Sequence, residues 1–331
     1  MAQAPPPRTL LHPLLRAVLY LVAFFIAQVS AAVAMLPIAY AVVTAQHTGP
    51  PMTIEQAGQA VADLATSPIG LTVATVATAL IVVATTLGFR VLFDHRPFRT
   101  LGFERIPGWV RQLASGVCLG LLFNGLMAAV LVISGHLTVG GISPEFSLSG
   151  LGLGVVLFVS VSLFEETAIR GYLLQVLDEW RGIRWAVALS TLIFAAGHIA
   201  NLFLHTDQKT GAFTLGGITD PLQAASGMVV IFAAGLLLAY CFVVTRQLWL
   251  PIGLHFGWNF GMGSLLGFPV SNVPIPFPTL FKVQPTGPSL LTGGAFGLEG
   301  SALALPAILV LALCVHLLAR WMHTPSASPT L

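Results

Sequence analysis

Two adjacent glutamates and an arginine lie inside an apolar stretch of this sequence. Glu165 and Glu166 are followed by Arg170 in a segment, 151–177, that is otherwise almost uncharged. Ionisable groups inside a bilayer are costly, so they are rare and usually functional. On an α-helix Glu166 and Arg170 share a face, whereas Glu165 is rotated by about 100° from Glu166. The spacing predicts an ion pair on one face and a second carboxylate that faces something else.

Three further polar residues lie in apolar segments. His198 lies in one such segment, and His255 and Asn259 lie in another, four residues apart, where they can point into one cavity. A lone histidine or asparagine in an apolar helix more often forms an interhelical hydrogen bond, and we assign His316 to that class. Two carboxylates, an arginine, two histidines and an amide on three segments exceed what packing needs. Together they predict a functional site.

The amino-acid composition indicates whether water or lipid surrounds these segments. Hydrophobic residues make up 56% of the chain and charged residues only 8%, against about 25% charged in a soluble domain. The sequence therefore predicts an integral membrane protein. Its formal net charge of +2 gives no reason to expect a nucleic-acid partner. Its three cysteines all lie in apolar runs and are interpreted as small hydrophobic residues.

Apolar segments of about 20 residues are long enough to cross a bilayer as helices. We predict an all-α membrane protein, a bundle of about eight transmembrane helices. The first segment is longer than the apolar core of a signal peptide, about 7 to 15 residues, and is interpreted as a retained anchor. The seventh is weak because Pro251 and several glycines interrupt it. The predicted spans are Leu14–Val43, Ile69–Gly88, Trp109–Ser134, Leu151–Leu177, Trp185–Leu204, Leu222–Val244, Leu248–Phe268 and Ser301–Ala319.

The basic residues predict the orientation. Lys209 and Lys282 fall on one side of the predicted membrane, and Arg170 lies within it. The other eleven of the 14 basic residues fall on the opposite side, so both termini are expected in the cytoplasm. Those eleven are Arg8, Arg16, Arg90, Arg96, Arg99, Arg105, Arg111, Arg181, Arg184, Arg246 and Arg320.

The same pattern divides the chain into parts. A cytoplasmic tail, three helices and a core of four helices that carries the predicted functional site are followed by an outer loop rich in proline and glycine, an eighth helix and a second cytoplasmic tail. Their predicted bounds are 1–13, 14–134, 151–268, 269–300, 301–320 and 321–331.

Three short motifs resemble a known family. Glu165-Glu166-x-x-x-Arg170, Phe194-x-x-x-His198 and His255-x-x-x-Asn259 are similar to the signature of the CPBP intramembrane proteases, also called the type II CAAX prenyl endopeptidase or Abi family. The order of the motifs, their internal spacing and their placement on separate helices all match. The resemblance covers about 151–263, and the segment 98–103 is similar to bacterial members.

The resemblance implies a glutamate-dependent peptidase with a helical membrane core. Glu165 is then the expected general base, which deprotonates a water molecule that attacks the scissile carbonyl. Glu166 and Arg170 are expected to hold the helix and set the local charge.

For the other motif residues the resemblance implies hydrogen-bonding roles. His198 is expected to orient the water or share its proton, and His255 and Asn259 to donate to the tetrahedral oxyanion. The family is often labelled a metalloprotease, yet the sequence lacks His-Glu-x-x-His. We therefore favour a mechanism without a metal. If zinc is bound, the expected ligands are Glu165, His198 and His255.

The expected substrate is a peptide or protein, lipidated or embedded in the membrane, and the expected location is the cell membrane as a multi-pass protein in contact with the lipid bilayer. Two alternatives stay open. Intramembrane Glu, His and Arg also serve proton relays, although no internal repeat of a two-half transporter is visible. The chain is alternatively a non-catalytic member that binds a peptide, for instance in bacteriocin immunity. The sequence does not identify the substrate.

Overall fold

The computed structural model describes residues 11–206, 213–215 and 220–323. The first ten residues of the predicted N-terminal tail with Arg8, the predicted outer residue Lys209, and the C-terminal tail beyond His323 lie outside the described residues. The described part of the chain is 77% helical, which confirms the predicted all-α class.

The α-helices of the described chain are α1 (Pro13–Gln46), α2 (Ile54–Thr66), α3 (Pro68–Gly88), α4 (Trp109–Ile133), α5 (Leu148–Glu166), α6 (Leu174–Arg181), α7 (Ile183–Gly197), α8 (Pro221–Thr245), α9 (Trp249–Phe260), α10 (Ser289–Thr292) and α11 (Ala304–His323). The π-helical turns Phe89–Phe93, Thr167–Leu173 and Gly261–Leu265 continue α3, α5 and α9, and 3-10 turns cover Phe98–Leu101, Ile199–Phe203 and Gly294–Gly300. The strands are β1 (Leu137–Ile142), β2 (Leu204–Thr206), β3 (Phe213–Leu215) and β4 (Phe281–Pro285); β1 pairs with β4 and β2 with β3, both antiparallel.

Polar caps and prolines determine where several of the long helices begin. Ser67 caps α3 by accepting from the N–H of Gly70, and Asp220 caps α8 by accepting from the N–H of Leu222. Pro68 and Pro221 occupy the first turns of these helices. Such caps satisfy N–H groups that have no partner within the helix, and proline lacks that N–H.

Seven helical segments of the described chain are long and apolar enough to cross a membrane. They confirm an integral multi-pass protein, but the count differs from the eight predicted spans. The missing one is the seventh, where α9 has 12 residues and its π-helical turn has 5, which is shorter than a usual span. The seven segments are Pro13–Gln46, Pro68–Phe93, Trp109–Ile133, Leu148–Arg181, Ile183–Phe203, Pro221–Thr245 and Gly294–Met322.

Helix α9 packs backbone to backbone against α4. Gly116 and Gly120 of α4 face Gly253 and Gly257 of α9, so the two main chains touch where side chains would normally separate them. A Cβ atom added to Gly257 would lie 2.4 Å from the carbonyl oxygen of Val117. Small residues four apart allow this approach in membrane proteins. The glycines that weakened the seventh predicted span are therefore the residues that fix its position.

The two helices run in the same direction. The rings of Trp109 and Trp249, at their first residues, have centroids 4.7 Å apart. Further along, the amide of Asn124 donates to the carbonyl of Trp258 at 2.8 Å. Beyond both helices the chain enters β1 and β4, which pair with each other. Helix α9 therefore follows α4 through the bundle and ends before it.

We expect Gly257→Ala to lower the stability of the protein, because overpacking at a close contact costs about 1–3 kcal/mol. Gly125→Ala on α4 is the matched control, since a Cβ atom there has nothing within 4 Å. A thermal unfolding series in detergent should show a lower midpoint for Gly257→Ala alone. An unchanged midpoint in that variant would contradict the close packing of α4 on α9.

The orientation in the membrane stays a prediction, and reporter fusions measure it. Fusions after Arg105 and at the C-terminus should report the cytoplasm, whereas fusions near Asp63 and Lys282 should report the outside. Because α9 decides whether the number of crossings is even, a C-terminus found outside would mean that α9 does not cross.

Candidate active site

A cavity of ≈ 330 Å³ lies among α3, α5, α7, α8 and α9. Most of its wall is apolar. Four of the six predicted site residues line it, which brings together side chains from three separate helical segments. These four are Glu165, His198, His255 and Asn259.

The other two predicted residues, Glu166 and Arg170, lie behind the cavity wall and are fully buried. Arg170 donates from Nη1 to Oε1 of Glu166 at 2.8 Å, which is the ion pair that their spacing predicted. The same carboxylate oxygen lies 2.9 Å from Nδ1 of His255. Because an ionised carboxylate can only accept, Nδ1 of His255 carries the hydrogen. Glu166 therefore joins α5 and α9 through an arginine and a histidine.

Arg170 extends this support to two more helices. Its Nη2 donates to the carbonyl of Gly235 on α8 at 3.0 Å. Its guanidinium carbon lies 4.4 Å from the ring centroid of Phe194 on α7, a cation–π contact. A Cβ atom at Gly235 would meet Phe194 at 3.1 Å, so a glycine leaves room for this contact. The wall behind the cavity is thus held by charge-assisted bonds.

Glu165 faces the cavity, away from the Glu166–Arg170 pair. Its Oε2 lies 3.9 Å from Nε2 of His255, and 18% of its side chain is exposed. His255 therefore stands between the two glutamates, with one ring nitrogen toward each. The π-helical turn that starts at Thr167 follows directly after the two glutamates, and π-helical turns of this kind are frequent at functional sites.

His198 ends α7 and is half-buried. Its Nδ1 lies 2.9 Å from the carbonyl oxygen of Phe194. Since a carbonyl only accepts, Nδ1 carries the hydrogen, and Nε2 is the nitrogen left for other partners. Asn259 is buried one turn beyond His255 and lines the same cavity. The structure thus brings both histidines and the amide to one cavity.

The segment 98–104 positions the start of α9. The N–H of Leu248 donates to the carbonyl of Gly102 at 2.9 Å. Gly102 has a φ of 111°, a conformation that favours glycine. The indole N–H of Trp249 donates to the carbonyl of Glu104 at 3.0 Å. These contacts fix the first turn of α9, the helix that carries His255 and Asn259.

One acidic residue of the cavity is absent from the predicted site. Glu299 is buried and lines the cavity, although it belongs to the segment predicted as an outer loop. Its Oε1 accepts from the indole N–H of Trp258 at 2.9 Å. The sequence indicates it only as a single acidic residue in the apolar run 295–300, which lies outside the predicted helices.

The alternative zinc ligands are Glu165, His198 and His255. Within residues 11–206, 213–215 and 220–323, no three His, Cys, Asp or Glu side chains are grouped so that they could hold a metal ion. Nδ1 of His255 is bonded to Glu166, which leaves Nε2 toward the cavity, and histidines that bind metals commonly make such a bond. The mechanism without a metal therefore stays a prediction, and the metal content is a matter for measurement.

Comparison with known families places the central third of the chain. Residues 147–261 match the family model described as type II CAAX prenyl endopeptidase Rce1-like. The matched segment contains all six predicted site residues. Comparison with curated proteins and with solved structures finds no match.

Proposed function

We propose that this protein is an intramembrane endopeptidase in which Glu165 activates the attacking water, since residues 147–261 match the family model of the Rce1-like type II CAAX prenyl endopeptidases. The observation that carries the proposal is the cavity that Glu165 shares with His198, His255 and Asn259. A base, a water-orienting imidazole and hydrogen-bond donors around one apolar space are the parts that peptide hydrolysis requires.

Glu165 is assigned the role of base because the two carboxylates have different surroundings. Glu166 is committed to Arg170 and His255, whereas Glu165 faces the cavity. Glu165 takes a proton from water, and the oxygen of that water bonds to the scissile carbonyl carbon. The same proton then passes to the amine as the C–N bond breaks. Nε2 of His198 accepts a hydrogen bond from the water and orients it.

His255 and Asn259 are assigned to the oxyanion. With Nδ1–H bonded to Glu166, a second proton on Nε2 lets His255 donate into the cavity. The two glutamates, Arg170 and this imidazolium then carry two negative and two positive charges, so the group is neutral in a medium that penalises net charge. Each donor to a developing oxyanion is worth about 3 kcal/mol in other hydrolases.

The proposed substrate is a peptide segment that reaches the cavity from the membrane, either embedded or lipidated, and the proposed location is the cell membrane. The mainly apolar wall supports this choice, because it can take aliphatic side chains without leaving polar groups unpaired. The test is mass spectrometry of membrane peptides from cells with the wild type or Glu165→Ala. Peptides cut only by the wild type support the proposal. Identical peptide sets, together with proton-coupled uptake in sealed vesicles, would favour a transporter.

The mechanism without a metal makes its own prediction. The purified protein should contain no stoichiometric zinc, and strong chelators should leave the cleavage rate unchanged after long incubation. His255→Gln and Asn259→Ala should lower kcat more than they raise KM, which marks contacts made mainly in the transition state. Zinc near one per chain, lost in His198→Ala and in His255→Ala with activity following it, would overturn this mechanism and keep the site.

A further inference from the structure

Glu299 is a second carboxylate that lines the cavity, besides Glu165, and the proposed chemistry does not use it. Three hydrogen bonds hold its side chain. The indole N–H of Trp258 donates to Oε1 at 2.9 Å, and the backbone N–H and hydroxyl of Ser271 donate to Oε2 at 2.9 and 2.7 Å. All three donors are neutral, so they fix the carboxylate without cancelling its charge.

No described residue forms an ion pair with Glu299, in contrast to Glu166 with its arginine. Among the described residues that line the cavity there is no lysine or arginine, and the acidic ones are Glu165 and Glu299. A desolvated carboxylate that has only neutral donors attracts a cation strongly, because the surrounding medium screens it poorly.

The position of Glu299 relates it to the bond that is cut. Its partner Trp258 lies three residues after His255 on α9, roughly 4.5 Å along the helix axis. An extended peptide advances about 3.3–3.6 Å per residue. Because Glu299 lines the same cavity as Glu165 and His255, a substrate side chain that meets Glu299 is expected to lie only a few positions from the bond at Glu165.

We propose that Glu299 is a specificity-determining residue that binds a positively charged side chain, lysine or arginine, of an otherwise apolar peptide substrate. The inference rests on the proposed peptidase function. The apolar wall receives the neighbouring side chains, and Glu299 selects the peptide register in which the cation is correctly placed.

The test compares matched apolar peptides that carry one lysine, moved through successive positions, with the same peptides acetylated at that lysine, which removes its charge. Binding is measured on full-length Glu165→Gln protein, which is not expected to cleave them. For the best position the charged peptide should bind about tenfold more tightly than its acetylated form, since a hydrogen bond to a charged group is of this size. Adding Glu299→Gln should bring the ratio close to one, whereas adding Glu145→Gln, the same change on the exposed surface, should preserve it.

Equal binding of the charged and acetylated peptides, or binding of neither, would overturn the inference. This comparison is made on protein that retains Glu299, so it does not depend on whether the Glu299→Gln variant folds. Equal cleavage of both by the wild type would also overturn it while the peptidase function stands. Charge-dependent binding without any cleavage by the wild type would support Glu299 and contradict the endopeptidase. A Glu299→Gln variant that slows all peptides equally would assign Glu299 to the support of Trp258 and Ser271 in the cavity wall and contradict its role in selection.

Discussion

Glu165→Gln is expected to lower peptide cleavage by a factor of about 10²–10⁴, the usual contribution of a general base. The substitution keeps the shape of the side chain and removes its ability to take a proton. Because Glu165 lines the cavity and the Glu166–Arg170 pair lies behind it, the fold should survive. Initial rates on one cleaved peptide and a thermal unfolding midpoint, measured on the same preparation, separate the two effects.

The exposed residue Glu145 supplies the control for this experiment. Glu145→Gln makes the same chemical change on the protein surface and should keep the wild-type rate. A folded Glu165→Gln protein that still cleaves at the wild-type rate would contradict the assignment of Glu165 as the general base. Glu166 would then become the candidate for that role.

Glu166→Gln is expected to destabilise the protein by about 3–5 kcal/mol, because removing one partner leaves the charge of Arg170 buried without compensation. The loss should also reduce cleavage in part, since His255 loses the charged acceptor that fixes its ring. Chemical or thermal unfolding in detergent measures the first effect, and steady-state kinetics at a permissive temperature measure the second.

A double variant tests the physical reason. Glu166→Gln with Arg170→Met removes both charges, so it should be less destabilised than the sum of the two single variants. Glu165→Gln serves as the matched single variant, because it makes the same change one residue away without touching the pair. Equal destabilisation by Glu165→Gln and Glu166→Gln would contradict the division of roles between the two carboxylates.

Contacts between residues of the same helix were predictable, because residues four positions apart lie on the same face of an α-helix. A separation of four residues placed Glu166 against Arg170 and put His255 and Asn259 along one wall of the cavity. The family resemblance supplied the connection between helices, which spacing alone could not provide. The roles assigned to these six residues stay predictions until the variants are measured.

The missed features depend on contacts between distant parts of the chain. Glu299 meets Trp258 across 41 positions, and no local pattern indicates such a contact. The glycines of the seventh predicted span were interpreted as interruptions because their effect on a single helix is unfavourable. Their benefit appears only when α4 supplies a second backbone.

Buried charges near the arginine-rich side were also missed. Arg16 and Arg90 were counted by position as loop-side cations, yet both are buried and both pair with Asp94. Arg16 also pairs with Glu179. Counting charges predicts the side of the membrane on which a residue lies, whereas the folded partner decides whether it meets solvent.

The contact between α4 and α9 has a consequence for the motions that catalysis can use. Side chains that interdigitate can change rotamer and let two helices slide, but Gly120 and Gly257 leave backbone against backbone with no rotamers to change. We therefore expect the two helices to move together, so that His255 and Asn259 keep their position relative to α4. If a peptide enters, the opening is then expected in the other walls, which α3, α5, α7, α8, the segment 270–275 and Glu299 form.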